Sequence, residues 1–483
     1  MVDYRAQELI FDRLWYHDAI TNDLESRIVD KWELAEAGKA MRLTLKPNVK
    51  WHDLQPLTSK DVCFTVAAML DPKTPSIVAQ QYRSVLAGCE TDGPDVAILK
   101  FTQVFHNPRE RLGFAVLPAS AFPSTAIAPD MAFSARPIGT GPMKGAKGTR
   151  GVTFDAFPNG QHTPQIAQLQ LQEGGDPLVQ GRTLINNGVQ GIIAVPPPLR
   201  PDLRASDEVA MKSYDLRSWW FVAVNTDEAP LSDPRVRQAF DLLLDRNELR
   251  KYSIGWSPDQ KNSPCELISG PFVQSSPYYN RTVPVHETAD RAKAESLLTA
   301  AGLTQVGGRW HYAGAPVTLD IGMLASLDHE APDLLDQLGN QIGAAGFDRQ
   351  VHKISADEWN RVVKTGKATD YDLVIGKWSF GLVEDVNHLF HTRANGQGTL
   401  NLFDYSNPKV DALLEAYEKA YTDTEAQDAY HELHALLAQD LPYLFLWKLD
   451  TKSSWRTEVK GNVVAPYFYF TEFDRWTFNA AAP

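Results

Sequence analysis

Short apolar or alternating blocks recur along the chain at Met41–Leu45, Val96–Phe101, Val152–Phe157, Trp219–Asn225, Val317–Leu324, Tyr371–Trp378 and Tyr443–Trp447, and each predicts a strand. Helix signals lie between them. In SDPRVRQAFDLLLDRNEL, Asp233 can accept from an orphan amide at a helix start, and Pro234 occupies the first helical position, where its missing donor costs nothing. Asn407 and Pro408 repeat the device in SNPKVDALLEAYEKAY, while Thr58 with Asp61 and Ser355 with Glu358 have capping-box spacing. Strands and helices interleave over 483 residues, so an α/β or α+β chain of two or three lobes is expected. The turn-rich TDEAPLSDPR is a natural place for the chain to pass from one lobe to the next.

Composition narrows the function classes. A hydrophobic share of 43% with 22% charged residues is that of a globular protein. A net charge of -13 without any run of five basic residues disfavours nucleic acid or an anionic membrane as partner. No stretch reaches the roughly 18 to 20 apolar residues of a membrane span, and the N-terminal MVDYRAQELIFDRLWYHD has no signal-peptide core. Cys63, Cys89 and Cys265 fit no metal-binding spacing, and three buried thiols are expected in preference to one disulfide plus a free thiol.

Catalytic motifs are absent. There is no H-E-x-x-H, G-x-S-x-G or Walker loop, and in GTGPMKG at 139–145 Pro142 removes an amide that a phosphate loop needs. The run KWSFGLVEDVNHLFH places Glu384, His388 and His391 at helical spacing, beside Asp385. That spacing would suit a metal-dependent hydrolase, but acidic residues at a helix start and histidines one turn on are ordinary surface chemistry. No metal or other cofactor is therefore expected. Tryptophan, with 12 copies, is the more telling residue, because an indole at a cleft wall stacks on rings and apolar groups. Trp378 and one of the neighbours Trp219 and Trp220 are the candidates, since neighbours on a strand face opposite ways.

Four segments, in order, resemble a known family. MRLTLKPNVKWHDLQPLTSKDVCFT, RPIGTGPMK, LSDPRVRQAFDLLLDRNEL and SNPKVDALLEAY with LAQDLPYLFLW are similar to the extracytoplasmic solute-binding proteins of the oligopeptide, dipeptide and nickel class, family 5. Arg235, Arg237, Ala239, Asp245 and Arg246 carry the most specific part of the likeness, whereas Leu54 replaces a glycine of the family's H-D-G turn. The resemblance implies a two-lobed periplasmic-binding-protein-like fold of the class II, cluster C type, with mixed sheets flanked by helices and a two-strand hinge. Residues 1–228 plus 455–483 would form one lobe, with an inserted subdomain at about 13–133, and 229–454 the other.

On that implication the protein is no enzyme but a monomeric receptor, located outside the cytoplasm, that hands a solute to the permease subunits of an ATP-driven importer. Expected ligand-binding residues are Trp378, Ser379, Phe380 and Gly381, Trp219 and Trp220, Asn225, and Met323, Leu324 and Ser326. In the family's peptide binders an Asp near the position of Gly381 grips the amino terminus, and dipeptide binders carry an Arg for the carboxylate where GMLASLDHEAP has none. A buried, unpaired terminus is costly. An oligosaccharide or a longer peptide held by its backbone is thus expected over a zwitterionic dipeptide. A cytoplasmic ligand sensor is the rival, against which the lack of a helix-turn-helix segment or basic patch counts.

Overall fold

The computed structural model describes residues 4–479 except 19–20, 22, 75, 106, 129–131, 149–150, 159–160, 173–174, 197–198, 215–216, 256–264, 329, 366–367, 369, 381–382, 394–399, 421, 464–468 and 471. Each of the seven predicted strands forms, with ends within two residues of the expected ones. An inserted subdomain comes first. Its sheet runs in the order β1 (Val29–Ala35), β2 (Ala40–Leu45), β4 (Val96–Phe101), β3 (Leu86–Thr91), and α1 (Ser59–Leu70) covers it. Val62 and Val66 of α1 join Leu43, Leu99 and Trp51 in a core of the subdomain's own. The Thr58 hydroxyl and the Asp61 carboxylate close a capping box at the start of α1.

A second layer follows with β5 (Met143–Gly148), β6 (Gly151–Ala156) and β7 (Gln168–Leu171), then β8 (Gly191–Ile192) and β9 (Val209–Tyr214). The glycines of GTGPMKG serve packing. A Cβ on Gly139 would lie 1.8 Å from the Ile10 carbonyl oxygen, and one on Gly141 2.8 Å from the Ile10 carbonyl carbon. The close backbone approach that glycine permits therefore seats the N-terminal segment, and Ile10 packs with Met143, Phe154 and Trp455.

The second lobe begins with β10 (Ser218–Val224), buried at every position. A strand covered on both faces must read as an unbroken apolar run, and SWWFVAV nearly does. The chain continues through α2 (Pro234–Leu243), α3 (Arg246–Ile254), β11 (Cys265–Leu267), β12 (Thr318–Leu324), α4 (Leu334–Ala344), β13 (Asp348–Ile354), β14 (Leu373–Ser379), α5 (Pro408–Lys419), α6 (Asp423–Asp440) and β15 (Tyr443–Leu449). Their sheet has the order β11-β15-β10-β14-β12-β13, antiparallel around β10 and parallel from β14 to β13. From β15 the chain passes directly into β16 (Thr451–Arg456), which lies between β8 and β9 in the first lobe.

Two expectations need correction. The pairing of β10 with β14 and β15 puts 218–224 in the second lobe, so the crossings lie between Tyr214 and Ser218 and between Leu449 and Thr451, not at 228 and 454. The turn cluster at 226–235 is a bend within the second lobe that leads into α2. Second, Cys63 of α1 and Cys89 of β3 form a disulfide, leaving Cys265 as a buried thiol. Packing α1 on β3 brings their Cα atoms to 5.0 Å, within disulfide range, although 26 residues separate them in sequence.

The family-like arginines are spent on the scaffold. Asp233 caps α2, as the sequence suggests, and also pairs with Arg235. Arg237 instead donates to the carbonyls of Leu231, Ser232 and Asp440, and Arg246 ties α3 to Asp241 and the Phe445 carbonyl. Leu54 sits at φ +71° with its side chain largely exposed, in the turn where the family pattern has glycine. Left-handed backbone costs a residue with a Cβ about 1–2 kcal/mol. Leu54→Gly is therefore expected to raise stability by about 0.5–1 kcal/mol after glycine's unfolded-state entropy is subtracted, and an unchanged or lowered urea midpoint would contradict this.

Two buried histidines set an acid limit. The Gly139 amide donates to His52 Nδ1 and the Asn280 amide to His434 Nδ1, so each ring carries its proton on Nε2, toward the Gly141 carbonyl and the Ser269 hydroxyl respectively. A second proton on Nδ1 would face an N–H donor. Burial, chiefly, pushes both down to about 4 from an ordinary 6.5. The unfolded chain takes up these protons near pH 6.5 and the folded one only near 4, so this contribution to stability is present above 6.5 and is lost as pH falls toward 4. His434→Gln should lower Tm at pH 7 yet flatten its decline between pH 6.5 and 4.5. Parallel declines in the two proteins would contradict the assignment.

Candidate ligand cleft

The parallel strands β12 and β13 end level with each other at Leu324 and Ile354, and β14, parallel to them, runs on past that level to Ser379 at the same end of the second-lobe sheet. Because β10 is antiparallel to β14, its first residue, Ser218, lies opposite Ser379 at that same edge. Both crossings to the first lobe also leave from there. The carboxyl ends of parallel strands are where open α/β sheets bind ligands, and here that edge faces the other lobe.

Most of the residues expected at the site gather on this edge. Trp219 lies opposite Trp378 on one face, and Trp220 opposite Lys377 and Trp447 on the other. Trp219 packs on Phe221 and Phe445 and is fully buried, as is Trp220, while Trp378 is partly exposed and Ser379 exposed. Leu324 is half-buried at the end of β12, and Ser326 is exposed two residues on. Phe380 turns inward, its ring 6.3 Å from that of Phe272. Met323 is fully buried opposite Ile375 and belongs to the core. Gly381 lies outside the described residues.

Asn225 does not join them, which corrects its assignment. It follows the far end of β10, five residues and about 16 Å from Trp220 at the rise of a strand. There its side chain accepts from the Asp227 amide and donates to the Tyr371 carbonyl, so it braces a turn.

The charged groups near the edge are paired within the protein. Arg217, immediately ahead of β10 and at φ +41°, forms a salt bridge with Glu384, whose side chain is buried. Asp385 accepts from the Asn387 amide and lies 3.5 Å from Arg111 of the first lobe. Lys377 pairs with Glu330. His391 Nδ1 is 2.8 Å from the Thr392 carbonyl oxygen and 3.6 Å from Asp411. Glu384, Asp385 and His391 thus turn to different partners, and among the described residues no three His, Cys, Asp or Glu side chains are placed to hold a metal ion.

Among the described residues, several buried polar atoms at or near this edge have no protein partner: the indole N–H groups of Trp219, Trp220, Trp378 and Trp447 and the side-chain amide of Asn387. Arg217, Trp447 and Asn387 carry no signal in the sequence that marks them for this edge. The Arg217 partner is 167 residues away, and Trp447 reads as one more apolar residue of a buried strand.

Residues 23–399 match the family described as "Bacterial extracellular solute-binding proteins, family 5 Middle". The chain is 22% identical over 490 residues to the probable di/tripeptide-binding protein 5 of Pseudomonas aeruginosa (strain UCBPP-PA14), covering 96% of this chain and 89% of that protein. It is 25% identical over 437 residues to protein XP55 of Streptomyces lividans, covering 86% and 74%. Among solved structures, the oligopeptide-binding protein AppA of Bacillus subtilis in complex with a nonapeptide superposes with a TM-score of 0.82 at 18% identity, over 98% of this chain and 94% of that one. NikZ of Campylobacter jejuni in complex with Ni(L-His) gives 0.82 at 19% identity, over 97% and 94%. These structures share the two-lobed mixed α/β architecture, and the match over most of its length makes this chain a member of the bacterial extracellular solute-binding proteins, family 5.

Proposed function

We propose that the protein is the solute-binding receptor of an ATP-driven importer, closing its lobes over a ligand outside the cytoplasm and presenting it to membrane permease subunits. The ligand we propose is neutral or weakly charged, an oligosaccharide or a longer peptide held by its backbone, and not a zwitterionic dipeptide. One observation carries the ligand class: Arg217, Glu384, Asp385, Lys377 and Glu330, the ionic groups beside the Trp378 edge, all have partners of opposite charge in the protein. A zwitterion enclosed there would bury two termini with no ionic partner to offset their desolvation. Trp378, partly exposed and with an indole N–H that has no partner among the described residues, suits an uncharged ligand with acceptor oxygens and apolar faces. Closure over such a ligand is a population shift driven by contacts with both lobes. No step of this function requires a catalytic group or a cofactor.

Calorimetric titration tests the ligand class with four probes: a neutral tetrasaccharide, a nonapeptide with free ends, the same nonapeptide with blocked ends, and the dipeptide Ala-Leu. Binding of the tetrasaccharide or of both nonapeptides, without heat from the dipeptide, is expected. Tight binding of Ala-Leu would overturn the assignment. Trp378→Ala should weaken the bound probe by about ten- to a hundredfold, from a loss on the order of 1–3 kcal/mol, with little change in the Tm of the ligand-free protein.

The ion pair beside the cleft should behave as scaffold. Arg217→Ala leaves the buried Glu384 carboxylate without its cation, a change that costs on the order of 3–5 kcal/mol, whereas Glu384→Gln removes the charge that needs pairing. Thermal melts should show a large drop for the first variant and a smaller one for the second. Loss of ligand binding in Arg217→Ala at an unchanged Tm would instead make Arg217 a ligand contact.

A further inference from the structure

The two lobes also touch away from the strand crossings, where Gln103, Asn107 and Arg111 of the subdomain meet Asp385, Tyr417, Glu418 and Asp423 of the second lobe. Gln103 donates to Glu418 at 3.1 Å and Asn107 to Asp423 at 3.3 Å. Between these contacts stands Arg111, a first-lobe residue whose side chain is only 6% exposed. Its guanidinium lies 4.9 Å from the ring of Phe105 in its own lobe and 5.9 Å from the ring of Tyr417 in the other. Its ion pair, at 3.5 Å, is with Asp385 of the second lobe.

The second-lobe side is built as a socket. Tyr417 stacks on Tyr430 with ring centroids 3.6 Å apart, Tyr278 meets both edge-on, and Phe272 backs Tyr430. Asp385 is oriented by the Asn387 amide, and Glu418 stands beside it. Aromatic faces and carboxylates together are the surroundings a guanidinium requires when water is removed. We infer that Arg111 is a positioning residue for lobe closure, a latch that enters the Tyr417–Asp385 socket and stabilises the closed state without touching ligand.

The energetics follow from burial. With the lobes apart, Arg111 and Asp385 are each hydrated. With them together, both lose water, and each compensates the other. Removing one partner leaves the other buried without its counter-charge, so the closed state suffers more than the open one. Burial works against the Arg111 charge, and Asp385 first, then Tyr417, Glu418 and Tyr430, more than restore it. Desolvation, and next the Asp385 charge, raises the Glu418 carboxyl while Arg111 lowers it, so the socket's acids depend on the arginine in turn.

The inference rests on the two-lobe receptor reading, but its test needs neither ligand nor permease. Asn107→Cys and Asp423→Cys place a thiol on each side of the seam, and a short bis-methanethiosulfonate reagent joins them only when the lobes meet. The trapping rate thus reports the frequency of closure in the ligand-free full-length chain. Arg111→Met keeps the apolar stem and removes the charge. It should slow trapping by about tenfold, the factor that corresponds to about 1.4 kcal/mol, and Asp385→Asn should slow it comparably. The double variant should be no slower than either single one, because both remove the same pair. The melting curve of Arg111→Met should match that of the parent, and the exchange Arg111→Asp with Asp385→Arg should recover part of the lost rate. Trapping within twofold of the parent in Arg111→Met, or full additivity of the two single variants, would overturn the latch. If trapping depends on Arg111 but none of the calorimetric probes accelerates it, the latch stands and the ligand assignment fails.

Discussion

Everything about the cleft depends on one covalent constraint: two neighbouring strands of the second-lobe sheet, β10 and β15, are each continuous with a strand of the first lobe. β9 leads into β10, and β15 leads into β16 with a single residue between them. In the first lobe β9 and β16 are hydrogen-bonded neighbours, and in the second so are β10 and β15. Two adjacent crossings are the geometry that the proposed lobe closure needs, since they hold the lobes together at one side. The same geometry brings the ends of β12 and β14, with Leu324, Trp378 and Ser379, to the edge from which the crossings leave. In the proposed function, rotation about the crossings would open and close the volume beside the tryptophans.

Desolvation is the second constraint. A cleft that closes must remove water from whatever lines it, so its charges are either matched or expensive. Arg217 with Glu384 sits inside the second lobe, and Arg111 with Asp385 bridges the lobes, yet the acidic partners are adjacent in sequence. One short segment thus holds the hinge side of the cleft with Glu384 and the seam with Asp385. The acids of VEDVNHLFH thus answer to two arginines on different parts of the fold.

Much of the scaffold was legible in the sequence because it rests on local rules. Asp233 and Pro234, Asn407 and Pro408, and Thr58 with Asp61 announce helix starts through interactions that span only a few residues. The unbroken apolar run of β10 marks a strand buried on both faces. The place of Trp378 near the end of a strand also follows from the apolar pattern of Tyr371–Trp378. What could not be read depends on tertiary contact. Cys63 and Cys89 meet only because α1 packs on β3, and Arg217 finds Glu384 across 167 residues. The lobe boundary was misplaced because the turn cluster near Asp227 looks like a linker, whereas the crossings, between Tyr214 and Ser218 and between Leu449 and Thr451, carry no Gly or Pro to mark them. Asn225 was misassigned for the same reason, since its position relative to the cleft depends on which end of β10 faces the other lobe.

Native mass spectrometry of the freshly purified protein, coupled with small-angle scattering before and after mild denaturation and refolding, tests the central claim most directly. The account predicts a non-covalent adduct of one uncharged or weakly charged solute per chain, and a larger radius of gyration once the solute has been removed. A chain that carries a stoichiometric zwitterionic dipeptide or a metal ion, or whose radius does not respond to loss of its bound solute, would contradict it.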